Sequence, residues 1–125
     1  MAEEEAANSR QAEQQEQLSV VATATDDVHV LTLAGEIDHD TGDTLRQALH
    51  LPGTPRPRVV IDMRQVTFMD SSGINVLLAA HHTLARAGGW LRLAAPTDTV
   101  MRTLRIVGVD AVIDCRDTLH HALAP

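Results

Sequence analysis

The chain has 125 residues, of which 44% are hydrophobic, and its formal net charge is −7. This length allows one domain with a real core, and the composition is ordinary for a soluble globular protein. All ten basic residues are arginines. The net negative charge and the absence of any basic cluster argue against direct nucleic-acid binding. Phe68 and Trp90 are the only aromatic residues, so the core must be aliphatic.

Residues 1–17 are predicted to form an acidic, disordered tail, and residues 18–125 the single domain. The tail holds five glutamates against Arg10 alone and has almost nothing apolar to bury. No apolar stretch approaches the roughly 20 residues of a transmembrane helix, and the N-terminus lacks the order of a secretory signal. The single cysteine, Cys115, cannot form an internal disulfide. We therefore expect a cytoplasmic protein that does not associate with membranes.

Strand-like and helix-like segments alternate along the domain. The first two strands are separated by Asp26-Asp27, which predicts a hairpin, and Pro52-Gly53-Thr54-Pro55 predicts a loop. The first helix is expected to have Asp40 or Thr41 as its N-cap. The predicted strands are Leu18–Thr25, Val28–Ala34, Arg58–Asp62, Trp90–Ala94 and Ala111–Asp114. The predicted helices are Thr41–His50, Ser72–Ala87, Thr97–Val107 and Arg116–Leu123.

This order predicts a small α/β domain. Strands that alternate with helices form parallel crossovers, so we expect a mixed, mainly parallel sheet that begins with an antiparallel hairpin. The amphipathic helices are expected to pack on one face of the sheet. The β-to-α junctions then lie at the sheet edge that most often carries function in such folds.

The junction before the second helix carries the sequence Asp70-Ser71-Ser72-Gly73. Serine and aspartate oxygens satisfy the free N–H groups of a first helical turn, so this sequence alone is first of all a capping sequence. The same N–H groups and the helix dipole tolerate added negative charge. A phosphate on a serine here adds about −1.5 to −2 charge beside Asp70, which would repel an acidic partner surface without unfolding the domain.

Two motifs together resemble the signature segments of STAS domains, specifically those of the bacterial anti-sigma factor antagonists. The first is Gly35-Glu36-Ile37-Asp38-His39-Asp40-Thr41, and the second is Val66-Thr67-Phe68-Met69-Asp70-Ser71-Ser72-Gly73. The resemblance covers about residues 18–123. It implies a STAS-like α/β fold and a non-enzymatic function in partner switching, with no cofactor, no metal and no catalytic residue.

In that family, an unphosphorylated antagonist binds an anti-sigma factor that is also an ATP-dependent serine kinase, and this frees the sigma factor. Phosphorylation of the antagonist ends the complex, and a serine phosphatase restores it. The resemblance implies that Ser71 is the phosphorylated residue and that Ser72 is its capping neighbour. It places the acidic side chains of Asp38 and Asp70 beside the docking surface. The domain itself is expected to be a monomer or a weak dimer.

Two further positions in the second motif concern the partner. Gly73 is expected to let the partner's backbone approach closely. Asn75 departs from the small residue that is common in the family, and its amide is expected to contribute to the choice of partner.

Three alternatives are less favoured by the sequence. A hydrolase with Ser71 as nucleophile would need a base among His39, His81 and His82, and the turn lacks the Gly-x-Ser-x-Gly elbow. His81 falls on the apolar stripe of its helix, where a half-buried histidine with its hydrogen bonds satisfied is expected. Adjacent histidines on a helix diverge by about 100°, which disfavours a shared metal ion. A STAS-type scaffold that binds partners without phosphorylation is the main rival.

Overall fold

The computed structural model describes residues 17–125, so the predicted tail lies outside the described residues except for Gln17. The strands are β1 Leu18–Thr25, β2 Val28–Ile37, β3 Arg58–Met69, β4 Trp90–Ala94 and β5 Asp114–Arg116. The helices are α1 Gly42–Ala48, α2 Ser71–Arg86, α3 Asp98–Ile106 and α4 Leu119–Leu123, with a 3₁₀ turn at Val109–Ala111. Within the described residues, no helix combines the length and apolar character needed to cross a bilayer.

The five strands form one sheet in the order β1-β2-β3-β4-β5. The β1–β2 pair is antiparallel and closes through Asp26 and Asp27, both at positive φ, as a two-residue hairpin turn requires. The other three pairs are parallel. The mixed, mainly parallel sheet and the α/β fold class are confirmed.

The helices cover both faces of the sheet. On one face, α1, α2 and α3 enclose a large aliphatic core that includes Leu33, Ile61 and Leu77, as the sequence predicts. The short α4 packs on the opposite face, where Ala122 contacts a smaller cluster that includes Val60. The prediction that all helices pack on one face is therefore wrong for α4, because a five-residue helix is too short to show an amphipathic period.

The side chain of Arg92 on β4 helps to hold α4 on this second face. Its guanidinium donates to the carbonyl oxygens of Ala122 and Ala124, at 3.0 and 2.7 Å. The guanidinium carbon also lies 3.9 Å from the centre of the Trp90 ring, a cation–π distance. An arginine in the middle of an apolar strand thus caps the carbonyls at the end of α4.

Other boundaries also differ from the predictions. β3 is longer than predicted and continues from Asp62 to Met69, because Val66 and Met69 are buried in the main core. Two irregularities in the pairing with β2 break the alternation of buried and exposed side chains in this part of the strand. The predicted strand at Ala111–Asp114 is wrong. Residues 109–113 form a tight turn in which the Ile113 N–H donates to the Val109 carbonyl at 2.8 Å, and β5 begins only at Asp114.

The helix limits differ by smaller amounts. α1 is shorter at both ends than Thr41–His50, and α4 begins at Leu119 rather than Arg116, since Thr118 accepts from the His121 N–H. Each end of α2 and α3 lies within one residue of its prediction.

Candidate functional site

The carboxyl ends of β2 and β3 bring the two motifs together. Ile37 and Met69 are paired at the ends of these strands, and the Asp70 N–H donates to the Ile37 carbonyl at 3.1 Å. Asp38 therefore begins the loop after β2, and Asp70 forms the neighbouring turn between β3 and α2, at one edge of the sheet. Both motifs therefore lie at the carboxyl edge of the sheet, which is the edge where the order of the elements predicts a functional site.

Asp70 is the N-cap of α2. Its Oδ1 accepts from the backbone N–H groups of Ser72 and Gly73, at 2.8 and 3.4 Å. The capping function expected of this sequence thus belongs to the aspartate. Ser72 is half-buried in the first turn, and its backbone N–H is one of the two capped donors.

The Ser71 side chain is exposed at the first position of α2. Among residues 17–125, its hydroxyl has no hydrogen-bond partner, so the described fold makes no use of it. Asn75 is also exposed, one turn further along the same side of the helix. A serine here can be modified or contacted without breaking a described hydrogen bond.

Gly73 is buried against the sheet. A Cβ at this position would lie 2.7 Å from Ile37 Cγ2 and 2.8 Å from Met69 Cγ, which is closer than real contacts allow. The prediction that this missing side chain makes room for a partner's backbone is therefore wrong. The glycine lets α2 approach the ends of β2 and β3, and this holds Ser71 at a fixed height above the sheet edge.

The loop after β2 is held by Thr41, which is only 4% exposed. Its hydroxyl donates to the Glu36 carbonyl at 2.9 Å and accepts from the Asp38 N–H at 2.8 Å. Asp38 Oδ1 in turn accepts from the N–H groups of Asp40 and Thr41, at 2.9 and 3.1 Å. Asp38 is therefore fixed by its own loop, with one carboxylate oxygen used internally.

This role of Thr41 differs from the one the sequence suggests. Thr41 does occupy the N-cap position of α1, but its side chain makes no capping hydrogen bond to that helix. The spacing of Asp38 and Thr41, three residues apart, is the local signal for such a closed loop.

The hydrolase alternative gains no support from the geometry. His81 and His82 lie ten and eleven residues after Ser71 on α2, about 15 Å along the helix axis. His39 lies at the same sheet edge as Ser71 but is exposed, and among residues 17–125 neither side chain bonds the other. The expectation that His81 has its hydrogen bonds satisfied is wrong for Nδ1, which is buried with no partner among the described residues.

Cys115 is a second possible nucleophile and lies on β5, two strands away from β3 in the sheet. Burial raises the pKa of its thiol to about 11, with further contributions from the carboxylates of Asp110 and Asp114. Because the thiolate is the reactive form, this environment suppresses its chemistry at neutral pH.

Comparison with known proteins identifies the family. The sequence model of the STAS domain matches residues 19–122. The chain belongs to the STAS domain family. This STAS protein is 30% identical over 108 residues to the anti-sigma-F factor antagonist RsfB of Mycobacterium tuberculosis, covering 84% of this chain and 88% of the relative. It is 29% identical over 98 residues to the anti-sigma F factor antagonist of Paenibacillus polymyxa, covering 77% of this chain and 84% of the relative.

The structural comparison agrees. An anti-sigma factor antagonist from Mycobacterium paratuberculosis has the same fold with a TM-score of 0.77 and 28% identity, covering 86% of this chain and 92% of that chain. The resemblance of the chain to bacterial anti-sigma factor antagonists is confirmed. The STAS protein thus presents, at the meeting point of both motifs, an exposed serine beside a capping aspartate.

Proposed function

We propose that this STAS protein is an anti-sigma factor antagonist, regulated by phosphorylation of Ser71. Unphosphorylated, it binds an anti-sigma factor that is also an ATP-dependent serine kinase, and so releases a sigma factor for transcription. Phosphorylation on Ser71 by that kinase ends the complex, and a serine phosphatase reverses the step. The protein acts by binding and has no catalytic role.

One observation carries this proposal: the cap of α2 is Asp70, which leaves the neighbouring Ser71 hydroxyl exposed and unused by the described fold. If Ser71 itself capped the helix, a phosphate there would remove a structural hydrogen bond. With Asp70 in that role, the added charge of about −1.5 to −2 lies at a helix N-terminus, where anions are tolerated. A change of charge can therefore alter binding while the fold is retained.

The remaining residues of the proposed docking surface surround Ser71. Asp38 contributes an acidic side chain from the loop after β2, Asp70 contributes one from the N-cap of α2, and Asn75 extends the surface along α2. Ser72 and Gly73 fix the first turn on which Ser71 is presented. The phosphate would add negative charge beside the carboxylate of Asp70, and this would repel an acidic group of the partner that faces Ser71.

The test is a capture experiment from cytoplasm of the native organism, with retained proteins identified by mass spectrometry. Wild type and Ser71→Ala are expected to retain the same histidine-kinase-like ATPase, and Ser71→Glu is expected to lose it. Ala85→Glu is the matched control, since it adds the same charge to an exposed position of α2 about 21 Å along the helix. It is expected to bind as wild type does.

Melting curves separate binding from folding in this experiment. The two Ser71 variants are expected to unfold at the wild-type temperature, because the described fold does not use the hydroxyl. Retention of the same partners by wild type and Ser71→Glu would favour a STAS-type scaffold without a switch. Parallel loss of binding and of folding in both Ser71 variants would support a purely structural serine.

A further inference from the structure

Phe68 is the chain's single phenylalanine, and its side chain is 45% exposed. It lies three residues before Ser71, so the two Cα atoms are at most about 11 Å apart. Burying an aromatic ring is among the largest single contributions to a core or an interface. The half-exposed ring therefore lies within reach of a partner that binds at the proposed switch.

An irregularity in strand pairing turns this ring outward. Gly35 pairs with Val66 and Glu36 pairs with Phe68, which leaves Thr67 as an extra residue on β3. Val66 is fully buried, so simple alternation along β3 would point Phe68 into the same core. The bulge at Thr67 places Phe68 on the outer side with Glu36 instead.

The same bulge keeps the next residue inside. Met69 is 4% exposed and pairs with Ile37, which is fully buried. Bulges of this kind re-aim side chains next to functional sites. Here the bulge leaves the larger aromatic side chain half-exposed and buries the methionine.

We propose that Phe68 is the apolar anchor of the docking surface, inserting into an apolar pocket of the anti-sigma partner whose rim carries a basic residue opposite Glu36. This inference rests on the proposed function. It adds to the phosphorylation switch at Ser71 a contact that does not itself depend on phosphorylation. Aromatic anchors flanked by polar groups dominate the binding energy of many interfaces. Phe68 supplies affinity in this arrangement, while the charge state of Ser71 decides whether the two surfaces can meet.

Glu36 determines the chemistry of the pocket's rim. It is exposed, it is the cross-strand neighbour of Phe68, and among residues 17–125 it has no ion-pair partner. A lysine or arginine in the partner complements this carboxylate, and an acidic residue there would be repelled.

The test compares dissociation constants for the ATPase captured by the wild-type protein, measured by isothermal titration calorimetry with purified full-length chains. Phe68→Ala is expected to bind at least about 30-fold more weakly than wild type. Ile106→Ala is the matched control, because Ile106 is 78% exposed at the distal end of α3, and it is expected to bind within twofold of wild type. Phe68→Thr removes the ring, but threonine still favours a β-strand. The same loss of affinity is therefore expected in this variant, in which the native strand is favoured.

The failure of this inference is distinguishable from failure of the proposed function. Equal affinity of wild type, Phe68→Ala and Phe68→Thr for the ATPase would overturn the anchor and leave the proposed function standing. Absence of any bound ATPase with wild type would overturn both. Unfolding curves followed by Trp90 fluorescence establish that each variant compared is folded.

Discussion

Replacing Thr41 with valine should destabilise the domain by removing the two hydrogen bonds that hold the loop after β2. Valine keeps the shape of threonine but cannot donate to the Glu36 carbonyl or accept from the Asp38 N–H. Thr41 itself is buried, whereas Glu36 lies at the surface, so water can replace part of what is lost. At about 1 kcal/mol for each hydrogen bond, we expect a loss of about 2 kcal/mol in the free energy of unfolding.

Thr41→Ser is the matched control. It keeps the hydroxyl and removes one methyl group, which is expected to cost about 0.8 kcal/mol. Compared with wild type, the valine variant therefore reports the loss of the hydrogen bonds, and the serine variant reports the loss of side-chain packing.

Urea unfolding followed by the fluorescence of Trp90, the only tryptophan, measures both values. For a domain of this size, 2 kcal/mol lowers the midpoint by about 1–2 M urea. Hydrogen exchange should also become faster at the Asp38 and Asp40 amides in Thr41→Val. A valine variant as stable as the serine variant, with unchanged exchange in this loop, would show that the Thr41 hydroxyl does not stabilise the loop.

Three other predictions concern the second motif and the cysteine. Asp70→Ala should lose about 1 kcal/mol of unfolding free energy, while Asp70→Asn, which can still cap, should lose almost none. Equal melting temperatures of the two variants would contradict the assignment of Asp70 as the cap. Gly73→Ala should lose about 1–2 kcal/mol of unfolding free energy, because overpacking against Ile37 and Met69 outweighs the gain in helix propensity. A variant that is more stable than wild type in a urea titration would show that α2 has room to move. At pH 8, Cys115 should react with iodoacetamide roughly 100-fold more slowly in the native protein than in urea, as its raised pKa leaves little thiolate; equal rates by mass spectrometry would argue against a shielded thiol.

The sequence is most informative where local chemistry determines the structure. Asp70 is followed by residues whose N–H groups it can cap, so the junction and the start of α2 are predictable to within one residue. The hairpin at Asp26-Asp27 is predictable for the same reason, since a two-residue turn between two β-rich runs leaves few alternatives.

The features that the sequence does not reveal depend on contacts between residues that are distant from each other in the chain. The bulge at Thr67 breaks the alternation on which strand prediction relies, so the length of β3 and the outward direction of Phe68 become visible only in the register with β2. Gly73 appears in a turn sequence, yet a glycine is needed there because any Cβ would clash with the side chain of Ile37, 36 residues earlier in the chain. The position of α4 depends on Arg92, whose contacts with the last carbonyls have no local signal.

The phosphorylation switch is tested by measuring how tightly this protein binds the captured ATPase, first unphosphorylated and then after that ATPase has phosphorylated it with ATP. Tandem mass spectrometry locates the phosphate, and calorimetry gives the two dissociation constants. We expect phosphate on Ser71, none on Ser72, and at least tenfold weaker binding of the phosphorylated protein, a difference of about 1.4 kcal/mol. Phosphate at another residue, or equal affinity of the two forms, would contradict this switch.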